Sequence, residues 1–335
     1  MPEQPSQRRR IVSGMRPTGK LHLGNLVGAL ENWIKLQDAH ECYYFVADWH
    51  MLTTDYDDVS ALQQNIREMV TDWLAAGLDP AKSVFFVQSR LPEHAELQLL
   101  FSMITPLGWL ERVPTYKEQL ENLKGRDLHT YGFLGYPVLQ SADILIYKAT
   151  GVPVGEDQVP HVELTREIAR RFNHHYGAVF PEPDVLLTPS PRLPGTDGRK
   201  MSKSYDNAIF LSDPADTVSR KVATMMTDPA RKRRWDKGNP DVCPVFSFHK
   251  VFSTDSVIER INRECRTAEI GCVDCKKLMA EHLNRFLDPI RERRVKLEQD
   301  PERVWSVLES GTAKAREIAQ ATMAETRAAM NLVRR

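Results

Sequence analysis

Two lysines three residues apart, Lys200 and Lys203 in "KMSKS" (200–204), stand behind the Pro- and Gly-rich stretch "FPEPDVLLTPSPRLPGTDGRK" (180–200). A pair of cations on such a loop can close over a pentavalent phosphorus as charge builds on its oxygens, and help of this kind is usually the largest catalytic term. A second candidate lies early in the chain, in "HLGN" (22–25). Read as the start of a helix, it offers free backbone N–H groups and a partial positive charge to a phosphate. Gly24 lets a nucleotide approach the backbone, and His22 and Asn25 can donate hydrogen bonds. The neighbouring "GMRPTGKL" (14–21) is not a P-loop, because Leu21 stands where a magnesium-binding hydroxyl is required.

The cysteines pose a separate question. Four of the five follow the spacing C-x₂₁-C-x₆-C-x₂-C, as Cys243, Cys265, Cys272 and Cys275, with Cys42 apart. An odd number in a chain with no secretory leader argues against a disulfide framework and for a reducing, cytoplasmic setting. One close pair and two outliers suit structural zinc less well than an iron–sulfur cluster, whose ligand spacings vary more. Separately buried free thiols are the third possibility.

These residues need a frame. Of 335 residues, 41% are hydrophobic and 27% charged, and 45 basic side chains balance 45 acidic ones. That supports about two domains with real cores, and no apolar run is long enough to span a membrane. "RRIVSG", "CYYFVADWH" and "SVFFVQS" read as strands alternating with helical segments, which implies βαβ units around a parallel sheet. Ligands then belong at the carboxyl ends of the strands. From about Ser212 the chain becomes charged and largely helical, with the cysteines in its middle. The basic runs "RKRRWDK" (231–237) and "IRERRVK" (290–296) are surface faces unless RNA is bound, in which case they are backbone contacts. In "YPVLQSADILIYK", helical spacing puts Tyr136, Gln140, Asp143 and Tyr147 on one polar stripe. Two tyrosines on that stripe favour a binding face over a solvated one.

Taken together, "HLGN" and "KMSKS" resemble the paired signature of class I aminoacyl-tRNA synthetases, and "VPVGEDQ" (152–158) narrows the likeness to the tryptophanyl and tyrosyl branch. "SGMRPTG", "DWH", "LERVPTYKE", "YPVLQSADILIY" and "GEDQVPHVELTREIARRFN" resemble the tryptophanyl family, and the likeness covers nearly the whole chain. It implies an α/β, Rossmann-like parallel-sheet catalytic domain (1–207) and a mostly helical C-terminal anticodon-binding domain (208–306). A last helix (307–335) would pack back toward the catalytic domain.

The implied activity joins tryptophan to tRNA through a tryptophanyl-adenylate made from Mg·ATP, on a homodimer. His22, Asn25, Lys200 and Lys203 would carry catalysis. ATP would also meet Arg16, Pro17, Thr18, Gly24, Gly155, Glu156, Asp157, Met201, Ser202 and Ser204, with Lys117 adding a phosphate contact. Tryptophan would lie among Asp143, Tyr136, Gln140, His50, Val152, Val154 and Gln158, with the Asp143 carboxylate accepting from the indole N–H. Arg16 and His22 replace the Gln and Thr of many relatives, and each adds a donor near phosphate. The four cysteines resemble those of a subgroup with a [4Fe–4S] cluster in the anticodon domain, with Zn²⁺ as the alternative. Competing readings are a tyrosyl enzyme, a small-molecule adenylyltransferase and a non-catalytic RNA-binding iron–sulfur protein.

Overall fold

Side chains along the central strands alternate between two cores, which fixes the architecture. The computed structural model describes residues 8–114, 116–118, 128–187 and 193–332. Strands β1 (Arg10–Met15), β2 (Glu41–Val46) and β3 (Ser83–Val87) pair in parallel, with Ile11 opposite Cys42 and Cys42 opposite Ser83. Ile11, Cys42, Tyr44, Val46, Phe85 and Val87 face one core, while Val12, Tyr43, Phe45 and Phe86 face the other. This is the two-residue period of a sheet covered on both faces. β4 (Gly151–Val154) and β5 (Asp184–Leu187) complete the order β3-β2-β1-β4-β5, all parallel. The chain builds outward from β1 to β3 and then returns to the other side of β1. The β1–β4 junction is therefore the topological switch point, where such sheets open a crevice.

The helix opened by "HLGN" has three parts: α1 (Leu23–Asn25), a π-helical turn over Leu26–Leu30, and α2 (Glu31–Leu36). The second strand is shorter than the sequence suggests. It stops at Val46, and "DWH" opens α3 (Asp48–Leu52). Asp48 explains the switch, since its Oδ1 accepts the N–H groups of Trp49 (3.1 Å) and Ser89 (3.0 Å) and so competes with further strand pairing. Next come α4 (Leu62–Ala76), α5 (Glu93–Ser102), α6 (Leu107–Leu110), α7 (Tyr131–Leu145) and α8 (Val159–Tyr176).

Beyond the sheet the described chain is helical: α9 (Ala215–Thr224), α10 (Pro244–Phe252), α11 (Asp255–Thr267), α12 (Cys272–Gln299) and α13 (Pro301–Ala329). Val218, Phe248, Leu283 and Leu287 join the same apolar cluster as Ile11 and Tyr44, so one core continues from the sheet face into these helices. Among the described residues no helix is long and apolar enough to cross a membrane.

Candidate active site

A cleft of about 360 Å³ opens at the switch point, walled by Val12–Arg16 along and just past β1 and by Val152–Gly155 along and just past β4. That volume suits a small molecule. All seven residues expected around tryptophan line it: His50, Tyr136, Gln140, Asp143, Val152, Val154 and Gln158. Arg16, Gly155, Phe133 and His161 complete much of the wall. The polar stripe on α7 therefore faces inward, with Asp143 fully buried.

Asp143 is the most heavily bonded group in the cleft. His50 Nε2 lies 2.7 Å from Oδ2, His94 Nδ1 2.6 Å from Oδ1, and Gln88 Nε2 donates to both oxygens at 2.8 and 2.9 Å. Burial pushes the carboxyl up, but the hydrogen bonds of His50 and His94 outweigh it and hold it below the ordinary carboxylate range. A carboxylate offers about four lone-pair sites, and these three donors make four contacts to it, two of them from Gln88 Nε2. Tyr136 hydroxyl meets His161 Nε2 at 2.9 Å. Burial, then the nearby His50, lowers the His161 pKa to about 4, so that ring is neutral at pH 7.

Gln88, His94 and His161 were not picked out from the sequence. Gln88 carried a usable signal, since it is polar and immediately follows the apolar strand "SVFFV" at its carboxyl end. His94 carried none, because nothing local in α5 marks it out.

The nucleotide candidates form a second group beside the cleft, joined to it through Met15, Arg16, Gly28 and Ala29. His22 and Asn25 cap α1 reciprocally: His22 Nδ1 accepts the Asn25 N–H at 3.3 Å, and Asn25 Oδ1 accepts the His22 N–H at 3.1 Å. With Nδ1 as acceptor, the ring proton resides on Nε2, the free donor. Burial, then the charge of Lys203, lowers the His22 pKa to about 4, so the ring stays neutral at pH 7. Lys203 Nζ reaches the Thr18 carbonyl and lies 3.2 Å from its hydroxyl, which brings "KMSKS" onto "RPTG". A β-carbon on Gly24 would sit 3.0 Å from the His22 ring, so glycine leaves that ring its place, while Met201 Cβ at 3.7 Å would be in ordinary contact.

The lysine loop is shaped by Asn207, a residue the sequence did not flag. Its Oδ1 accepts the Ser202 N–H at 2.8 Å, and its Nδ2 donates to Asp197 (2.8 Å) and to the Lys200 carbonyl (3.1 Å). Lys200 and Ser204 are exposed, and the two serines meet at 2.9 Å. Glu156 and Asp157 are exposed on a single 3₁₀ turn after β4. Pro17 lies between the cleft residue Arg16 and Thr18. The Arg16 guanidinium is held by Thr54 and Asp55, the latter at 2.6 Å, rather than standing free for phosphate. Lys117 is exposed and does not line the cleft.

Comparison with known proteins decides between the readings left open by the sequence. The family model for class I tRNA synthetases (W and Y) matches residues 4–288. The tryptophan–tRNA ligase of Thermotoga maritima is 60% identical over 97% of this chain and 99% of its own length. That of Aquifex aeolicus is 50% identical, over 96% of this chain and all of its own. The chain belongs to the class I tryptophan–tRNA ligases. A crystal structure of the Campylobacter jejuni tryptophanyl-tRNA synthetase, complexed with ADP and tryptophan, superposes with a TM-score of 0.86 at 32% identity. It covers 96% of this chain and 99% of that one. Class I synthetases use ATP and Mg²⁺.

In this ligase the cysteines lie away from the cleft. Cys243 precedes α10, Cys265 lies near the end of α11, and Cys272 and Cys275 occupy the first turn of α12. The thiols lie within electrostatic reach of one another. Burial first, and then the neighbouring Cys243, Cys265 and Cys272, pushes Cys275 up to about 12. Arg231 Nη1 approaches Cys265 Sγ at 3.7 Å. Four sulfurs with no carboxylate are a soft donor set, suited to iron–sulfur or zinc. Among the described residues, however, no three His, Cys, Asp or Glu side chains are placed to hold a metal ion.

The basic run at 290–296 is tied down in part, with Arg293 and Lys296 exposed. Arg291 binds Asp288 and Asn284, Arg293 donates to the Ala75 carbonyl at 2.6 Å, and Arg294 is buried in ion pairs. In the 231–237 run, Lys232, Arg233 and Lys237 are exposed.

Proposed function

We propose that the cleft binds L-tryptophan and that the adjoining loops bind Mg·ATP, so that the enzyme forms tryptophanyl-adenylate and passes the acyl group to tRNA(Trp). A tryptophan carboxylate oxygen attacks the α-phosphorus, the bond to the bridging oxygen breaks, and pyrophosphate leaves with that electron pair. A terminal ribose hydroxyl then attacks the acyl carbon and AMP departs. No protein nucleophile is needed, and catalysis rests on placement and on charge stabilisation.

The observation that carries this reading is the Asp143 carboxylate, buried at the switch point where it lines the cleft and is oriented by three donors. Indole has one donor and no acceptor, and its N–H would share or displace one of those contacts. Val152 and Val154 would flank the ring, Tyr136, Gln140 and Gln158 would meet its amino-acid end, and His50 would orient Asp143. His22, Gly24 and Asn25 would hold the nucleotide between Arg16–Pro17–Thr18 and Gly155–Glu156–Asp157. Lys200 and Lys203 would neutralise the transferring phosphate from a loop completed by Met201, Ser202 and Ser204.

We also infer that Cys243, Cys265, Cys272 and Cys275 hold a [4Fe–4S] cluster, with Zn²⁺ the alternative. The donor set and the convergence of three helices support it, and the cluster would staple the helical half without a redox step. That half (208–306) would read the anticodon. A homodimer in the cytoplasm is the expected working form, and exposed Leu99, Met103 and Leu107 along α5 and α6 are suited to a partner subunit.

The test is tryptophan-dependent exchange of labelled pyrophosphate into ATP, followed by aminoacylation of tRNA(Trp). Exchange driven by tyrosine, or by no amino acid, would sink the proposal.

A further inference from the structure

Leu21, which the sequence presented only as the residue that disqualifies a P-loop, is buried between two partners. Its carbonyl accepts the Leu211 N–H at 2.9 Å, and Leu23 N–H donates to the Ile209 carbonyl at 2.9 Å. The stretch leading into "HLGN" is thus zipped to the segment that follows "KMSKS". On its other side the Leu21 N–H donates to Asp72 Oδ2 at 2.7 Å.

Asp72 belongs to α4 and is completely buried, an unusual place for a carboxylate. Its other oxygen is held by Arg294 Nη1, from α12 of the helical half. Arg294 is itself 3% exposed. Nη2 pairs with Glu68, Nε donates to Glu298 at 2.9 Å, and Nη1 also approaches the Glu68 carbonyl at 3.4 Å. A continuous path therefore runs from the helical half through Arg294 and Asp72 to the backbone just ahead of His22. The same carboxylate acts on Lys203: burial lowers that lysine, and Asp72 opposes the change.

A buried ion pair is a poor source of stability, since two apolar residues of similar volume often do as well or better. Seating α12 on α4 needs no ions, because apolar contacts there already join the two helices in one core. What a carboxylate at this position supplies, and an apolar residue would not, is an acceptor for Leu21 N–H together with a negative charge near Lys203. We propose that Asp72, oriented by Arg294 of the helical half, is a positioning residue for the nucleotide loops, setting the register in which His22–Asn25 and Lys203 meet ATP. This rests on the reading of those loops as the ATP site.

The test compares pyrophosphate exchange and thermal melting for Asp72→Leu/Arg294→Met, Asp72→Asn/Arg294→Met and Arg294→Met, with His22→Ala as the reference. Arg294→Met alone strands a buried carboxylate and is expected to melt lowest. Asp72→Leu/Arg294→Met removes the charges together and recovers part of the melting temperature. Its KM for ATP is nevertheless expected to stay about tenfold high, from loss of a charge-assisted hydrogen bond, while KM for tryptophan stays within about twofold. Asp72→Asn/Arg294→Met restores an acceptor for Leu21 and is expected to bring KM for ATP part of the way back. A purely structural pair would behave otherwise. Both KM values would move together, or KM for ATP would return to the wild-type value as the melting temperature recovered. Either result overturns the proposal. If His22→Ala also leaves KM for ATP unchanged, the nucleotide reading fails; if it raises KM and the Asp72→Leu double variant does not, only the positioning role fails.

Discussion

His94 stands between Asp143 and Tyr147, its Nδ1 2.6 Å from the carboxylate and its Nε2 2.7 Å from the phenol oxygen, with all three side chains buried. Burial first, and then the charge of Asp143, raises Tyr147 well above its ordinary value, so the phenol keeps its proton. The phenol then donates to Nε2, which places the imidazole proton on Nδ1, facing Asp143. This relay turns one carboxylate lone pair away from the cleft and limits rotation of the group.

Asp143→Asn tests the tryptophan site. The amide keeps the shape but sets an NH₂ group against the donors of His50, His94 or Gln88. KM for tryptophan in pyrophosphate exchange should rise about tenfold or more, the worth of a charge-assisted hydrogen bond, with KM for ATP unchanged. A tryptophan analogue with sulfur in place of the indole nitrogen should lose most of its disadvantage against this variant. An unaltered preference for the N–H compound would remove Asp143 from the indole contact.

Removing His94 should act through Asp143. His94→Asn retains a donor near the Nδ1 position, and His94→Leu retains none. The leucine variant should raise KM for tryptophan severalfold with little change in kcat, and the asparagine variant should recover much of the loss. Equal effects from the two would mean that His94 only fills space.

Lys203 predicts a pH limb. Burial lowers its pKa to about 8, so the free enzyme loses this cation as pH rises through that value. The kcat/KM for ATP reports the free enzyme, and it should therefore fall above about pH 8. Lys203→Arg, whose charge persists, should abolish that limb even if its absolute rate is lower. Lys203→Ala should cost about 10²–10³ in kcat. An alkaline limb unchanged in the arginine variant assigns it to another group.

Much of this site could be read before the structure because its residues fall in short, contiguous motifs. The α7 stripe came from helical period alone, and the sheet from apolar runs alternating with helices. What escaped were partners brought together by long-range packing. Asp72 and Arg294 are 222 positions apart, and nothing local in "MVTDWLAAG" or "RERRVK" marks one as the counterion of the other. For the same reason nothing in the second basic run set the buried Arg294 apart from the exposed Arg293 and Lys296. The partner of Arg16 escaped similarly, since Asp55 lies in a loop whose approach to β1 has no sequence period.

The cysteines should separate the two half-reactions. On protein purified without oxygen, iron and sulfide analysis should find about four of each per chain, as the four-thiolate cluster requires. Cys272→Ser or Cys275→Ser should lower the metal content and the melting temperature and reduce aminoacylation. Pyrophosphate exchange should persist, because no thiol lines the cleft. One equivalent of zinc without iron would replace the cluster with the alternative metal, and loss of exchange would tie the cysteines to the adenylation site.

Gly311 offers a last test, of how the frame supports the site. α13 runs along β3, an edge strand, and packs against it. Val304 and Leu308 on this helix enter one core and Ala315 and Ala319 the other, so Gly311 lies where it crosses the edge. A β-carbon there would overlap the Phe85 carbonyl oxygen and sit 2.7 Å from its carbon, and backbone cannot swing aside as a side chain can. Gly311→Ala should therefore push α13 off β3, at a cost of about 1–3 kcal/mol. Farther along, α13 holds the Arg90 carbonyl through Arg316 (2.8 Å) and Glu96 through Arg327. These contacts brace the segment between Gln88 and His94, the two donors that aim Asp143. The variant should thus melt lower and also show a higher KM for tryptophan, with KM for ATP less affected. A lower melting temperature with both KM values intact would show that the brace ends at β3.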